Sequence, residues 1–248
     1  MHGQFIWYEL TTPDVAAAKK FYPRFTGWGT QPFDNDYTMW TTGGAPFAGL
    51  FHLKDEMRQQ GIPPNWMAYV ESSNVDDTIK KATSLGGAVM FGPQDIPNVG
   101  RFVVLADPQG AVFGVYKSAN DLRAWDGTPV VGRFSWHELM TTDYQKAFEF
   151  YSALFGWEKT GEMDMGGGNM YFMFGKGDKA TAACSIAPPR WPTCARSGCS
   201  TSTSRTWARP LQLQRRVGEP SCARGWTSPA ARSRSLVIRR GPASRCTT

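Results

Sequence analysis

The chain has 248 residues, 41% of them hydrophobic, which is enough for one large domain or two domains of about 120 residues. Its N-terminus lacks the basic segment and apolar run of a signal peptide, and no stretch approaches the roughly 20 apolar residues of a membrane span, so a cytoplasmic protein without membrane association is expected. The net charge of +6 does not predict a nucleic-acid partner, because twelve arginines and one acid follow Cys184, whereas the chain before it is acidic.

The first unit along the chain combines strands with one helix. FIWYEL (5–10) is rich in aromatic residues and predicts a strand. Thr12 as N-cap and Pro13 in the first turn predict that a helix follows, ending at Gly27, a residue suited to a left-handed cap. The next strand candidates are YTMWTT (37–42) and FAGLFHL (47–53).

A second unit of the same kind follows. It contains the strand WMAYVES (66–72), the helix NVDDTIKKATSLGG (74–87) and strands at 88–91, 101–107 and 111–117, with the turn DPQG between the last two. The order βαβββ therefore occurs twice within residues 1–117. This order predicts an α+β fold in which paired βαβββ modules form a cup-shaped sheet.

The chain then repeats itself at a shift of 129 residues. GQFIWYELTTPDVAAAKKFYPRFTGW (3–28) aligns without a gap with GRFSWHELMTTDYQKAFEFYSALFGW (132–157). The identical pairs include Gly3/Gly132, Phe5/Phe134, Trp7/Trp136, Glu9/Glu138, Phe21/Phe150, Tyr22/Tyr151 and Trp28/Trp157. Such self-similarity indicates a duplicated domain, in which 118–131 is a polar linker and 132–183 is the first module of an incomplete second copy.

The pattern stops at Cys184. From Cys184 on, Arg, Ser, Pro and Gly dominate, all five cysteines occur without a metal-type CxxC pair, and neither strand alternation nor helical periodicity is found. One interpretation is a segment disordered by its composition. The other is that residues 184–248 are translated out of frame after a frameshift near Ala183.

Codon arithmetic favours the frameshift. Val237 to Gly241 can be encoded so that the frame starting at the third base of the valine codon gives Asp-Pro-Gln-Gly, the turn found at 107–110. In the same frame Trp226 to Pro229 give Asp-Ile-Pro, as at 95–97, and Cys199 to Pro210 are compatible with a strand and a helix start. The order of the three matches is that of the first copy.

The βαβββ modules, the opening WYEL and FY…GW elements and the closing ADPQGAVFGVYK resemble the vicinal oxygen chelate (VOC) superfamily, the fold of glyoxalase I, extradiol dioxygenases and bleomycin-resistance proteins. Within it the chain is similar to a two-domain glyoxalase-like group labelled as hydroxylases. The resemblance implies a cup that holds a divalent metal on His, Gln and Glu side chains. Those positions correspond to Trp7, the vicinity of Met67, and Gly114, none of which is a ligand, so no metal site is predicted and the cofactor stays unknown.

Strand alternation predicts which side chains face into the cup. If Trp7 faces inward, Phe5 and Glu9 do so too, and Tyr8 faces the helix. The equivalent inward set in the second copy is Phe134, Trp136 and Glu138. Glu9 and Glu138 are the candidate catalytic bases, and the predicted substrate-binding residues are Phe5, Trp7, Tyr69, Tyr116 and Trp136. The alternative is that the tryptophan is core and the glutamate a structural hydrogen-bond partner. His137 is expected in the core, and Glu71 at an exposed rim.

Two functions fit this pattern. The first is a glyoxalase- or dioxygenase-like enzyme, a lyase or hydroxylase in type, acting on a small oxygenated or aromatic metabolite without the usual metal. The second is a non-catalytic protein that binds a small molecule or antibiotic, as bleomycin-resistance proteins do. In this fold modules also pair between chains, which leaves a homodimer open.

Overall fold

The computed structural model of the protein describes residues 2–34, 36–120, 130–167, 170–177 and 179–186, and the two-residue strand Thr201–Ser202. The predicted linker (118–131) and the aberrant tail (184–248) therefore lie largely outside the described residues. No helix in the described part of the chain has the length and apolar character needed to cross a membrane.

Three βαβββ modules follow one another along the chain. Module A (5–52) contains β1 (Phe5–Thr12), α1 (Val15–Phe21), α2 (Pro23–Thr26), β2 (Gly29–Asp34), β3 (Tyr37–Thr42) and β4 (Ala45–His52). After the short helix α3 (Asp55–Gln59), module B (65–118) contains β5 (Asn65–Glu71), α4 (Val75–Ser84), β6 (Ala88–Ile96), β7 (Gly100–Ala106) and β8 (Ala111–Ser118). Module C (137–186) contains β9 (His137–Thr141), α5 (Tyr144–Phe155), β10 (Glu158–Asp164), β11 (Met170–Lys176) and β12 (Lys179–Ile186). The last strand is β13 (Thr201–Ser202).

The first helix of each repeat begins at an aspartate. Asp14 is the N-cap of α1, and its carboxylate accepts a hydrogen bond from the Ala17 amide at 2.8 Å. The predicted cap at Thr12 is therefore two residues early, because Thr12 still belongs to β1. Asp143 caps α5 in the same way, accepting from the Lys146 amide at 3.1 Å. At the other end Gly27 has the predicted left-handed conformation, with a φ of 70°.

Modules A and B share one curled sheet with the strand order β2-β3-β4-β1-β5-β8-β7-β6. Strand β1 is parallel to β4 and antiparallel to β5, so the β1–β5 pairing joins the two modules. The predicted α+β cup is thereby confirmed. Module C forms a separate sheet, β10-β11-β12-β9, in which β9 is parallel to β12 as β1 is to β4.

The two repeats contact each other through reciprocal interactions. The indole N–H of Trp28 donates to the Gly132 carbonyl at 2.7 Å, and that of its equivalent Trp157 donates to the Gly3 carbonyl at 2.7 Å. Tyr8 contacts its own repeat equivalent, since its hydroxyl lies 2.7 Å from the His137 ring nitrogen Nε2. Exchange of equivalent contacts is the signature of a local twofold axis, so the duplication is also a symmetric packing unit.

Module B packs against module C and encloses one apolar core. The core of this pair combines buried residues of β5, β7 and β8 with those of α5, β9, β11 and β12, among them Val115, Phe113, Phe150 and Leu154. The DPQG turn also binds the start of α5: Gln109 Oε1 accepts from the Asp143 amide at 2.7 Å, and Gln109 Nε2 donates to the Asp143 carbonyl at 2.8 Å. The DPQG turn of module B, which resembles a family motif, thus holds the start of α5 in module C through these two hydrogen bonds.

Candidate active site

Strand β1 crosses the middle of the cup and carries Trp7 and Glu9 on one face. Its alternate residues Tyr8 and Leu10 are buried in a core with Ala18 of α1, so Trp7 and Glu9 lie on the sheet face opposite that helix. Neighbouring strands place Gly49 of β4 and Met67 of β5 beside Glu9, and Tyr69 of β5 beside Trp7. Residues from both modules therefore meet around one carboxylate.

Two tyrosines hold the Glu9 carboxylate. The Tyr37 hydroxyl donates to Glu9 Oε1 at 2.7 Å, and the Tyr69 hydroxyl donates to Glu9 Oε2 at 2.5 Å. The Trp7 indole N–H donates in turn to the Tyr37 hydroxyl at 3.1 Å. The result is a chain of hydrogen bonds from Trp7 through Tyr37 to Glu9, closed on the other side by Tyr69.

The electrostatic setting of this carboxylate is unusual. Burial raises the pKa of Glu9, and the hydrogen bonds from Tyr69 and Tyr37 oppose that rise. Burial and the negative charge of Glu9 raise the pKa of Tyr69 and of Tyr37 well above the ordinary phenol value. At neutral pH both hydroxyls therefore keep their protons, while Glu9 binds a proton more readily than an exposed glutamate.

The second repeat contains the same chain of donors. The Trp136 indole N–H donates to the Tyr171 hydroxyl at 2.6 Å, and Tyr171 donates to Glu138 Oε1 at 2.7 Å. In the first repeat Tyr69, on the adjacent antiparallel strand β5, supplies the further donor to Glu9. In the described part of the chain β9 pairs with β12 alone, and the Glu138 arrangement is a half-site.

The residues that the resemblance places at the family's metal positions do not fit a divalent metal. Trp7, Met67 and Gly114 offer no nitrogen or oxygen ligand from their side chains. The ring of Tyr69 lies over Gly114, where an added Cβ would overlap it, so the tyrosine fills the space of a ligand side chain at that position. Among the described residues no three His, Cys, Asp or Glu side chains cluster in a way that could hold a metal ion.

Phe5 does not share the face of Trp7 and Glu9. A register shift between Phe5 and Trp7 in the β1–β5 pairing changes the alternation of side chains. Phe5 instead stacks on His137 at a centroid distance of 3.7 Å and packs in the core between the repeats. The predicted place for Phe5 in the cup wall is therefore corrected to a place in that core.

The other sequence-predicted residues divide between cup and core. Tyr116 is partly buried, and its hydroxyl donates to the Val99 carbonyl at 2.7 Å, so that group is used by the β6–β7 connection. His137 is buried, as expected from its side of the strand. Glu71 is buried rather than exposed at a rim, and its Oε2 atom has no hydrogen-bond partner among the residues that the structure describes.

Sequence reasoning missed Tyr37 and Tyr171. Each is near the start of the third strand of its module, in YTMW (37–40) and YFMF (171–174), and each donates to the glutamate of its own repeat. Strand β4 lies between β3 and β1, so the contact crosses an intervening strand. Gly49 on β4 permits this, because a Cβ there would overlap the Tyr37 hydroxyl. The recurrence of tyrosine at this point of both repeats was the available signal.

Two cavities lie elsewhere. An apolar one of about 30 Å³ lies between the repeats, is lined by residues such as Phe5, Val70 and Phe174, and has room for about one water molecule. An open cleft of about 370 Å³ lies beside the β6–β7 connection, between Asp95 and Ala119. Glu9 lines neither of these two cavities.

Comparisons with known proteins agree with this architecture. The family model of the glyoxalase-like domain matches residues 7–116. The protein CFP32 of Mycobacterium tuberculosis, which is named as a glyoxylase, is 32% identical to this chain over 193 residues. The match covers 74% of this chain and 70% of CFP32. The chain belongs to the glyoxalase-like family. Its place in the VOC superfamily, expected from the motifs, is thereby confirmed.

Two further relatives extend the comparison of this glyoxalase-like chain. The anthracycline biosynthesis protein DauV of a Streptomyces species is 31% identical over 168 residues, covering 62% of this chain and 61% of DauV. The Mn(II)-bound glyoxalase of Novosphingobium aromaticivorans superposes with a TM-score of 0.53 at 17% identity, covering 75% of this chain and 62% of that one. At that identity the second likeness concerns the fold alone.

Proposed function

We propose that the cup of modules A and B binds a small aromatic or oxygenated metabolite and that Glu9 acts on it as a general base. The observation that carries the proposal is the Glu9 carboxylate held between the Tyr37 and Tyr69 hydroxyls beside Trp7. A planar ligand would lie against the Trp7 indole, whose face offers large apolar contact. Hydroxyl or carbonyl groups of the ligand would meet the polar centre around Glu9.

The proposed chemistry is a proton transfer. Glu9 takes the proton of an acidic O–H or C–H group of the bound molecule, which becomes an anion, and returns a proton to it later. The raised pKa of Glu9 brings its proton affinity closer to that of such a group, which favours transfer at neutral pH. Tyr37 and Tyr69 hold the carboxylate in place during both steps and stay protonated. No step runs through a metal, because the ligand positions do not fit one.

The aromatic class of ligand has separate support. The DauV relative is named for anthracycline biosynthesis, and anthracyclines are flat polycyclic ring systems bearing hydroxyl and carbonyl oxygens. Trp136 and Glu138 would form the corresponding half-site of the second repeat, with weaker binding, since the described structure has no second module against β9.

Binding to the cup is tested with one defined probe, the dihydroxyanthraquinone alizarin. Calorimetric titration of the full chain is expected to show one tighter site for alizarin, and Trp7→Ala should weaken it roughly 10-fold by removing the aromatic wall. Trp136→Ala is the matched control, because it alters the equivalent indole of the half-site and should leave the tighter site unchanged. Equal affinity of the parent and Trp7→Ala for alizarin would contradict the proposal.

A second candidate function is binding without turnover. It is favoured by the absence of ligand side chains at Trp7, Met67 and Gly114, since the family's metal chemistry has no residues to support it there. Under this alternative the Glu9 carboxylate recognises ligand hydroxyls and removes no proton. The two candidates differ in the response to replacement of Glu9, which is considered in the Discussion.

A further inference from the structure

Equivalent helices of the two repeats differ sharply in exposure. Phe21 and Phe25 of the α1–α2 segment are 45% and 62% exposed, whereas their equivalents on α5, Phe150 and Leu154, are 4% and 2% exposed. We call the surface formed by Phe21 and Phe25 the α1 face. The two rings contact each other at a centroid distance of 5.1 Å, so they form one continuous apolar patch, and such patches often mark a contact surface for another structure.

Module B explains why the α5 face is covered. The ring of Phe113 from β8 contacts Phe150 and Tyr151 at centroid distances of 6.3 Å and 5.3 Å. The Tyr151 hydroxyl donates to Asp107 Oδ2 of the DPQG turn at 3.0 Å. Gln109 of the same turn binds the first residues of α5. A βαβββ module with its closing turn is thus the structure that fits this kind of face.

Module A has the same shape but lacks that cover in the described structure. Tyr22 is the equivalent of Tyr151. Its hydroxyl accepts a hydrogen bond from the Trp66 indole N–H at 2.9 Å, and no aspartate of the described residues bonds to that hydroxyl. Likewise no glutamine side chain within the described ranges binds Asp14 as Gln109 binds Asp143. The local twofold axis relates module A to module C, so it assigns to the α1 face a partner equivalent to module B.

We propose that the α1 face is the docking surface for a fourth βαβββ module, encoded by the same gene in the reading frame shifted by one base from about residue 184. The sequence supports this occupant. The shifted frame can encode Asp-Pro-Gln-Gly across Val237 to Gly241 and Asp-Ile-Pro across Trp226 to Pro229, in the order of module B. In the docked module the aspartate of that turn would face Tyr22, and the glutamine would face Asp14.

The same module would complete the second cup. In module B the strand that follows module A, β5, pairs antiparallel with β1 and carries Tyr69 to Glu9. A fourth module related by the local axis would place its first strand against β9, beside Glu138. The proposal stands without the catalytic role of Glu9, because it rests on exposure and intermodule contacts alone.

The gene sequence gives the first test. The shifted frame must be open through the codons of residues 184–248 and must read Asp-Pro-Gln-Gly across Val237 to Gly241. A stop codon in that frame, or codons that give another tetrapeptide there, would overturn the proposal without any question of folding.

The second test compares the chain with a restored chain that has one base inserted within the codons of Ala180 to Ser185. Phe25→Ser is expected to change Tm by no more than about 2 °C in the chain as given and to lower it by roughly 10 °C in the restored chain. Leu154→Ser, at the equivalent covered position, should lower Tm by a similar roughly 10 °C in both chains. Amide exchange of residues 18–27 should slow only in the restored chain.

Each other outcome counts against the fourth module. A small effect of Phe25→Ser in both chains would mean that nothing docks there. A large effect in the chain as given would mean that the α1 face is already covered, by a second copy if sedimentation shows a dimer that Phe25→Ser dissociates, or by residues 187–248 if the chain is monomeric. A restored chain less soluble than the parent would also contradict the proposal, since covering apolar surface should improve solubility.

Discussion

Glu9→Gln should abolish most turnover of a bound ligand while leaving its affinity nearly unchanged. Glutamine has nearly the same shape and keeps an oxygen for one tyrosine donor, but it takes up no proton at neutral pH. Removal of a general base typically slows a reaction by about 10²–10⁴-fold. NMR of the ligand in D₂O measures either the deuterium that it takes up or its conversion to a product. Calorimetry measures its affinity in parallel.

Glu138→Gln is the comparison that separates the two repeats. The same substitution in the half-site should have a much smaller effect, because Glu138 has Tyr171 as a donor and the described structure gives it no equivalent of Tyr69. If Glu9→Gln weakens binding and no conversion is detected in the parent, the binding function without turnover is the correct one. If neither affinity nor conversion changes, Glu9 has no part in either function.

Lowering the pH should destabilise the packing between the repeats through His137. Its Nδ1 lies 2.9 Å from the Thr181 carbonyl, which only accepts, so Nδ1 carries the proton and Nε2 accepts from Tyr8. Burial lowers the pKa of His137 from its ordinary value of 6.5 to about 4. The folded state therefore resists a proton that the unfolded chain takes up, and stability present above pH 6.5 is lost progressively as the pH falls towards 4.

The expected size of this effect is about 3 kcal/mol of unfolding free energy between neutral pH and pH 4. Urea unfolding of the parent and of His137→Gln over this range measures it, since glutamine can accept from Tyr8 and donate to Thr181 without titrating. Burial raises the pKa of Glu9 and Asp107, which acts in the opposite direction, and the difference between the two proteins isolates the histidine. Parallel pH profiles for the two would show that His137 does not contribute.

The fold followed from the sequence because its signals are local and repeated. The alignment of residues 3–28 with 132–157 predicted equivalent strand-helix units. The alternation of side chains correctly placed Tyr8 of β1 and His137 of β9 on the core side. The alternation failed at Phe5, because the register shift between Phe5 and Trp7 is set by the pairing with β5 and cannot be read from the sequence of β1 itself. The position of Phe5 depended on a neighbouring strand rather than on its own segment.

The candidate site was predicted only in part, for the same physical reason. Trp7, Glu9 and Tyr69 lie on strands adjacent in the sheet, where alternation gives their common face. Tyr37 reaches Glu9 across β4. Predicting this contact requires knowledge of the strand order and of the space that Gly49 leaves by having no side chain. Gln109 was assigned to a turn, but its hydrogen bonds to the start of α5 depend on the packing of module B on module C.

The protonation of Glu9 itself tests the proposed function of the cup most directly. Carbon-13 labelling of glutamate carboxyl groups allows an NMR titration of the full chain, with the Glu9 signal identified by its loss in Glu9→Gln. We expect a titration midpoint above the ordinary glutamate range, because burial outweighs the two tyrosine hydrogen bonds, and a shift of this signal when alizarin is added. A midpoint at or below the ordinary range, with a signal that alizarin leaves unchanged, would contradict the assignment of the cup as the functional site.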